Sequence, residues 1–212
     1  MPSIEKRFRR GLREAKPRPD DSVVLVARPD SQSLLALKLL AKIERRFPRV
    51  KLSVVEVAPP STTPALKAPC RELGVGYGAV TSEGYAYTDL RRAALLALKP
   101  DDLLLVLPDT AEDLAAYLLG EVALGAVEGL ELDARFRVAY PLARVSVREL
   151  PATPLKPYHE LAYNHWPKGL RRAWNAAVKL SERGIMTPQA PAALLRRLAR
   201  ALRTRHIAML NG

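Results

Sequence analysis

The sequence predicts an α/β protein built on a doubly wound, mostly parallel β-sheet with helices on both faces. Two observations carry this prediction. Short β-branched and leucine-rich runs recur along the chain, and longer stretches with apolar residues at helical spacing separate them. A helix between successive strands is the crossover connection that parallel strands require. Strands are predicted at residues 22–27, 50–57, 75–80, 103–107 and 136–140, and helices at 34–47, 64–73, 88–98 and 111–125.

Each element follows from its local sequence. The first strand, SVVLVA, is almost wholly apolar, as in a strand covered on both faces. The next helix has Lys38 and Lys42 at positions expected to face solvent. The second strand, VKLSVVEV, stops before Pro59. The glycine-rich segment 74–78 leads into a strand, whereas a phosphate-binding loop leaves a strand and opens a helix. It therefore predicts a helix C-cap followed by the entry of a strand. The runs LLLVL and FRVAY supply the last two strands.

The chain divides into three parts that differ in charge. We expect a basic N-terminal arm at 1–19, the α/β domain at 20–150, and a proline- and aromatic-rich connector with a basic helical extension at 151–212. The extension contains two arginine-rich helical stretches, at 169–183 and 191–206. The formal net charge is +12, and both ends are strongly basic while the middle is nearly neutral. Few Asn, Gln and Cys beside many Pro also resemble a thermophilic composition.

Charge concentrated at both ends is typical of proteins that bind nucleic acid, because Lys and Arg replace the counterions of phosphates. The alternative is a generally basic surface. The aromatic cluster formed by Tyr158, Tyr163, Trp166 and Trp174 lies beside several cations, and it suits either base stacking or internal packing. The candidate RNA-binding residues are Arg9, Arg10, Arg13, Lys168, Arg171, Arg172, Arg196, Arg197, Arg200 and Arg203.

Several classes of protein are excluded by composition. No apolar run approaches the ~18 residues of a membrane span, and the basic start lacks the apolar segment of a secretory signal. We therefore expect a soluble, cytoplasmic protein that does not contact membranes. The single cysteine, Cys70, is either a buried apolar residue or a thiolate favoured by Lys67 and Arg71. His159 and His165 do not have zinc-ligand spacing, so no metal site is expected.

The candidate ligand site lies where the first strand meets its helix. Ligands of open parallel sheets bind at the carboxyl ends of strands, and a helix N-terminus there attracts phosphate. Ser31 or Ser33 is expected to cap this helix. The alternative is an ordinary strand-to-helix turn. The candidate nucleotide-binding residues here are Arg28, Asp30, Ser31, Gln32 and Ser33.

The segment VVLVA-RPDSQS-LLALKLL resembles the opening of the PP-loop ATP pyrophosphatases, which thiolate tRNA or make lysidine. In that family a strand is followed by S-G-G-x-D-S and a leucine-rich helix. A second segment resembles the family's H-N-x-D-D-x-A motif and adds Asp109, Glu112 and Asp113 as candidates, with the last two at the paired-acid places. The resemblance covers about residues 20–145. It implies a nucleotide-binding fold and a role in tRNA modification.

The departures from the family pattern indicate a degenerate member. Pro29 removes a backbone donor, and Arg28 and Asp30 add side chains where the family pattern leaves little room. The resemblance leaves ATP with Mg²⁺ as the candidate cofactor, and no zinc or iron–sulfur site is expected because the thiolating members' cysteines are missing. We expect a non-catalytic protein that binds tRNA or another RNA, or that serves a catalytic PP-loop partner subunit. The alternatives are an ATP-dependent enzyme that adenylates an RNA base with a divergent loop, and a structural ribonucleoprotein component.

Overall fold

The structure is a computed structural model that describes residues 3–47, 49–99, 103–184, 186, 187 and 190–210, with the last eight of these as backbone only. Five strands form the sheet: β1 (Ser22–Ala27), β2 (Lys51–Ala58), β3 (Gly76–Thr81), β4 (Leu103–Val106) and β5 (Arg137–Ala139). The α-helices are α1 (Ile4–Glu14), α2 (Ser31–Glu44), α3 (Lys67–Leu73), α4 (Tyr87–Ala97), α5 (Ala111–Gly120), α6 (Leu130–Arg135), α7 (Tyr158–Ala162), α8 (Lys168–Glu182) and α9 (Ala190–Leu210). Short 3₁₀ turns cover Val122–Leu124, Val147–Glu149 and Tyr163–His165.

The sheet is parallel throughout, in the order β3-β2-β1-β4-β5. The chain builds outward from β1 through β2 to β3 and then returns to the other side of β1 with β4. The direction of winding therefore reverses between β1 and β4, and a crevice opens at their carboxyl ends. The predicted fold class is confirmed, because five strands joined by helical crossovers form one open sheet.

Alternate residues of β1 enter two separate cores, one on each face of the sheet. Val23 and Leu25 pack with Phe8 of α1 and Leu37 of α2. Val24 and Val26 enter the opposite core, which holds the rings contributed by α4, α5, α7 and α8. The prediction of helices on both faces is therefore confirmed as well.

Residues 4–14, which the sequence groups into a basic arm, form α1 and pack against the sheet. Ser3 caps the helix, and Phe8 is fully buried. The sequence analysis missed this helix because its arginines dominate its composition, although they lie around an apolar stripe. The division of the chain into arm, domain and extension stays a prediction. No helix among the described residues is both long enough and apolar enough to cross a lipid bilayer.

Carboxylates hold α1 in place, so its docking should depend on pH. A hydrogen bond from Arg7 lowers the pKa of Glu149. Burial acts to raise the pKa of Glu14, but hydrogen bonds from Arg144 and Arg196 outweigh it and the pKa is lowered. A carboxyl group whose pKa is lowered by folding stabilises the folded state at pH values above its unfolded pKa, which is about 4.3 for Glu. This stabilisation is lost as the pH falls through the pKa of the group in the folded protein.

We therefore expect the amides of α1 to lose hydrogen-exchange protection below about pH 4, before those of β1 do. The measurement is hydrogen exchange by mass spectrometry between pH 7 and pH 3, corrected for the intrinsic pH dependence of exchange. Equal losses in α1 and β1 at every pH would show that these ion pairs do not control docking.

Candidate functional site

The predicted residues of the two motifs meet at the crevice between β1 and β4. β1 runs directly into Arg28, and β4 runs through Leu107 and Pro108 into Asp109. The side chains contributed by both loops are almost completely buried, although they are polar or charged. A buried polar group requires partners, so the hydrogen bonds of this cluster determine what else it can bind.

The N-terminus of α2 is occupied by groups of the chain itself. Asp30, which is fully buried, is the N-cap, and its Oδ1 accepts a hydrogen bond from the Ser33 amide at 2.7 Å. The Ser31 amide donates to the carbonyl oxygen of Lys156 at 3.0 Å. The predicted serine caps are thus wrong, because α2 begins at Ser31 and residue 30 therefore holds the N-cap position. The Ser33 hydroxyl instead accepts a hydrogen bond from the Arg28 amide at 2.8 Å.

Arg28 fills the space in front of this helix terminus. Its Nε lies 2.6 Å from Asp30 Oδ2, and its Nη1 lies 2.5 Å from Asp109 Oδ1. The guanidinium is 4.6 Å from the centre of the Tyr158 ring, which covers it. Its Nη2 is buried and has no hydrogen-bond partner among the described residues. One arginine therefore joins both predicted motifs in a buried ion-pair cluster.

The ion-pair cluster continues through Arg91, which the sequence analysis did not include among the site residues. Arg91 Nη2 lies 2.9 Å from Asp109 Oδ2, and its Nη1 lies 2.7 Å from Asp133 Oδ2. Burial raises the pKa of Asp133, although the Arg91 charge opposes this. The sequence did contain a sign of this role. Arg91 falls on the apolar side of a predicted helix, where a buried arginine needs an acidic partner.

The two neighbouring acids at the start of α5 point to different places. Asp113 faces the crevice, where Tyr87 donates a hydrogen bond to it at 2.7 Å and Gln32 donates one at 3.4 Å. Burial raises the pKa of Asp113, and the Arg28 charge only partly offsets this. Glu112 instead accepts hydrogen bonds from the Ser146 hydroxyl at 2.7 Å, the Val147 amide at 3.0 Å and the Ser181 hydroxyl at 2.7 Å. They do not form a pair of convergent carboxylates.

The segment from Lys156 to Trp166 forms a lid on the crevice. The Tyr158 amide donates to Gln32 Oε1 at 3.1 Å. The Tyr158 hydroxyl and the Trp166 indole both donate to the carbonyl oxygen of Tyr85, at 2.6 and 2.9 Å.

The aromatic cluster was predicted to serve either base stacking or internal packing. Tyr158, Trp166 and Trp174 are all buried, so these three rings serve internal packing. Tyr163 is half-buried.

Among the described side chains, the candidate RNA-binding cations are exposed or half-buried, and Arg9 and Arg196 form ion pairs. Arg9 pairs with Glu5, and Arg196 pairs with Glu14. The second pair brings α9 against α1, so the basic ends of the chain meet in space. Arg171 is half-buried, and the side chain of Arg203 lies outside the described residues. The exposed members are Arg10, Arg13, Lys168, Arg172, Arg197 and Arg200.

Cys70 is a buried apolar residue rather than a thiolate. Burial, with a smaller contribution from the nearby Glu56 charge, raises the pKa of the thiol to about 11. Gly74, four residues later, caps α3 in the left-handed conformation with φ of 71°. The prediction of a helix C-cap there is confirmed.

The sheet order and the helices on both faces match the PP-loop, adenine nucleotide alpha hydrolase-like fold that the sequence resemblance implied. A solved structure with this fold is the U34-tRNA thiolase NcsA from Methanococcus maripaludis with its [4Fe-4S] cluster. The likeness covers 93% of this chain and 79% of that chain, with a TM-score of 0.61 and 14% sequence identity. At this identity the likeness establishes the fold. No protein-family model matches the sequence, and no curated protein is similar to it.

The expectation about cofactors requires correction. From the sequence, ATP with Mg²⁺ was a candidate cofactor and no zinc or iron–sulfur site was expected, but the solved structure with this fold carries a [4Fe-4S] cluster. An iron–sulfur cluster is therefore compatible with the fold, and the expectation was wrong. In the described part of this chain, no group of three or more His, Cys, Asp or Glu side chains could hold a metal ion. The crevice does not fit a nucleotide either, because Asp30 already occupies the phosphate end of α2.

Proposed function

We propose that this protein is a non-catalytic, RNA-binding component of tRNA modification, which presents RNA to a catalytic partner subunit. The observation that carries the proposal is the closed crevice. Asp30 and the Lys156 carbonyl accept hydrogen bonds from two amides in the first turn of α2, and Arg28 lies in front of them.

Opening this crevice for a nucleotide would be costly. A helix N-terminus stabilises an anion through its free amides and its dipole, and here the Asp30 carboxylate is that anion. A phosphate in its place would displace Asp30, which is also the partner of Arg28 Nε. A displaced Asp30 carboxylate would lose both of its buried partners, the Arg28 guanidinium and the Ser33 amide. The closed crevice therefore favours a protein that does not cleave ATP.

Glu112 and Asp113, the two acids of the second motif, also favour a protein that does not cleave ATP. An enzyme that adenylates RNA would need acidic groups directed at a bound substrate. Glu112 is turned away from the crevice toward Ser146 and Ser181, and Asp113 is held by Tyr87 and Gln32. These contacts support structural roles for both acids.

RNA binding is supported by the surface where α1 meets α9. Arg10 lies one turn before Glu14 on α1, and Arg200 lies one turn after Arg196 on α9. Since Glu14 and Arg196 are in contact, exposed cations from both ends of the chain share this surface. Arg13 and Arg197, which adjoin Glu14 and Arg196 in the chain, are exposed as well, so Arg10, Arg13 and Arg197 are the cations to test. The similar structure is that of a tRNA thiolase, which supports tRNA as the RNA to test first.

The test is the salt dependence of binding to an unmodified tRNA transcript. Each lost phosphate contact should reduce the slope of log K against log salt by about 1, so replacing Arg10, Arg13 and Arg197 with alanine should reduce it by up to about 3. We also expect a loss of affinity of about tenfold or more at 0.1 M salt.

The matched control replaces Lys67, Arg71 and Lys99, which are exposed cations in the nearly neutral middle of the chain, with alanine. This variant has the same net charge and should bind tRNA nearly as the wild type does. Equal losses in both variants would show that only net charge matters and would contradict a specific RNA surface. Exclusive recovery of ribosomal RNA from cells would favour the structural ribonucleoprotein alternative.

A further inference from the structure

A pair of stacked rings lies outside the crevice, on the outer side of the lid. The rings of Tyr85 and His165 are 4.0 Å apart at their centroids and nearly parallel, with an interplanar angle of 9°. Tyr85 is half-buried in the loop that follows β3, and His165 is exposed. The imidazole therefore has one face on the tyrosine ring, while His165 as a whole stays exposed to solvent.

The lower ring of this stack is held firmly. The Tyr85 hydroxyl donates to the carbonyl oxygen of Pro60 at 2.5 Å. Its own carbonyl oxygen accepts the hydrogen bonds from Tyr158 and Trp166 that anchor the lid. The position of the stack is thus fixed before any ligand arrives, which reduces the entropy lost on binding.

Two exposed cations follow the stack on α8. Lys168 comes three residues after His165, and Arg172 lies one helical turn further along the same face. The buried side of α8 is formed by other residues, among them Leu170 and Trp174, so this face is open to solvent. Exposed rings and nearby cations are the groups by which proteins hold unpaired nucleotides, and here they follow one another within two helical turns of chain.

We infer that His165, supported from beneath by Tyr85, is a platform for one unstacked base of single-stranded RNA, with Lys168 and Arg172 on the flanking phosphates. This inference rests on the proposed RNA binding and specifies its mode. Every base has a π-face, so stacking accepts any sequence, whereas bases inside a duplex are already stacked on their neighbours. The platform therefore selects single-stranded segments rather than helices.

The test compares a single-stranded ten-nucleotide RNA, carrying 2-aminopurine at its centre, with a ten-base-pair RNA duplex. Loss of one stacked base should cost His165→Ala about tenfold in affinity for the single strand and little for the duplex. His165→Phe keeps a flat ring and should retain both the affinity and the quenching of 2-aminopurine. Because His165 is exposed, both variants should fold, and the circular dichroism spectrum checks this.

Each alternative outcome has a distinct meaning. If His165→Ala binds the single strand as the wild type does, the platform is refuted while the proposed function stands. If alanine and phenylalanine weaken binding equally, the imidazole acts by hydrogen bonding and the stacking inference is wrong. If the wild-type protein binds neither these RNAs nor tRNA, the proposed function itself fails.

Discussion

Replacement of Arg91 by methionine should lower the free energy of unfolding by about 3–5 kcal/mol, because it leaves buried carboxylates without their cation. The Arg91 guanidinium is 3% exposed and bridges Asp109 to Asp133. Asp109 keeps Arg28 as an ion-pair partner, whereas Asp133 loses the guanidinium with which it is paired. Its hydroxyl donor, Tyr140, cannot replace a full charge.

The loss should also depend on pH, and its sign follows from Asp133. Without Arg91 its already raised pKa should rise further, so the folded protein takes up a proton more readily than the unfolded chain does. A carboxyl group with a raised folded pKa favours folding at low pH, and this benefit is lost as the pH rises. We expect the destabilisation by Arg91→Met to be smaller at pH 5 than at pH 8.

Arg92→Met is the matched control on the same helix. Arg92 is 57% exposed, and it forms an ion pair with the exposed Glu83 at 3.7 Å. The change should alter stability by less than about 0.5 kcal/mol. The measurement is urea unfolding at both pH values. Equal effects of the two substitutions would contradict a stabilising role for the buried ion-pair cluster.

Replacement of Trp166 by alanine should cost about 3–5 kcal/mol, since it empties the centre of the lid. Trp166 is 2% exposed and contacts the rings of Tyr87, Tyr158 and Trp174, with centroids 5.6 to 6.1 Å away. Its indole also donates to Tyr85. Trp166→Phe keeps a ring but loses this hydrogen bond, and it should cost about 1–2 kcal/mol.

Tyr163→Ala is the control within the same segment. Tyr163 is half-buried, and its hydroxyl accepts a hydrogen bond from the exposed Asn175, so we expect a loss below about 1.5 kcal/mol. Thermal unfolding of Trp166→Ala, Trp166→Phe and Tyr163→Ala measures the order of their stabilities. A Trp166→Ala variant as stable as Tyr163→Ala would mean that the lid does not pack on the α/β core.

The sheet could be predicted because its signals are local. The apolar runs that form β1 and β4 have no helical periodicity, and the structure places both strands within one residue of the predicted bounds. Arg28 and Asp109 were both predicted as nucleotide-binding candidates, but their ion pair was found only in the structure, where both residues come just after neighbouring parallel strands.

Other parts of the site depend on contacts that leave no local signal. Asp113 and Glu112 are adjacent and chemically similar, yet a capping contact with Thr110 turns the first toward the crevice, while Ser146 holds the second outside it. The Lys156 carbonyl that blocks the Ser31 amide is backbone, so no residue type indicates it. The lid therefore emerged only from the structure.

Calorimetric titration with ATP and Mg²⁺ tests the central claim most directly, with an unmodified tRNA transcript titrated in parallel. The closed crevice at Arg28 and Asp30 predicts no ATP binding at millimolar concentration, together with salt-sensitive binding of tRNA. ATP binding at micromolar concentration would contradict the account, because it would mean that the Asp30 carboxylate yields its place to a phosphate.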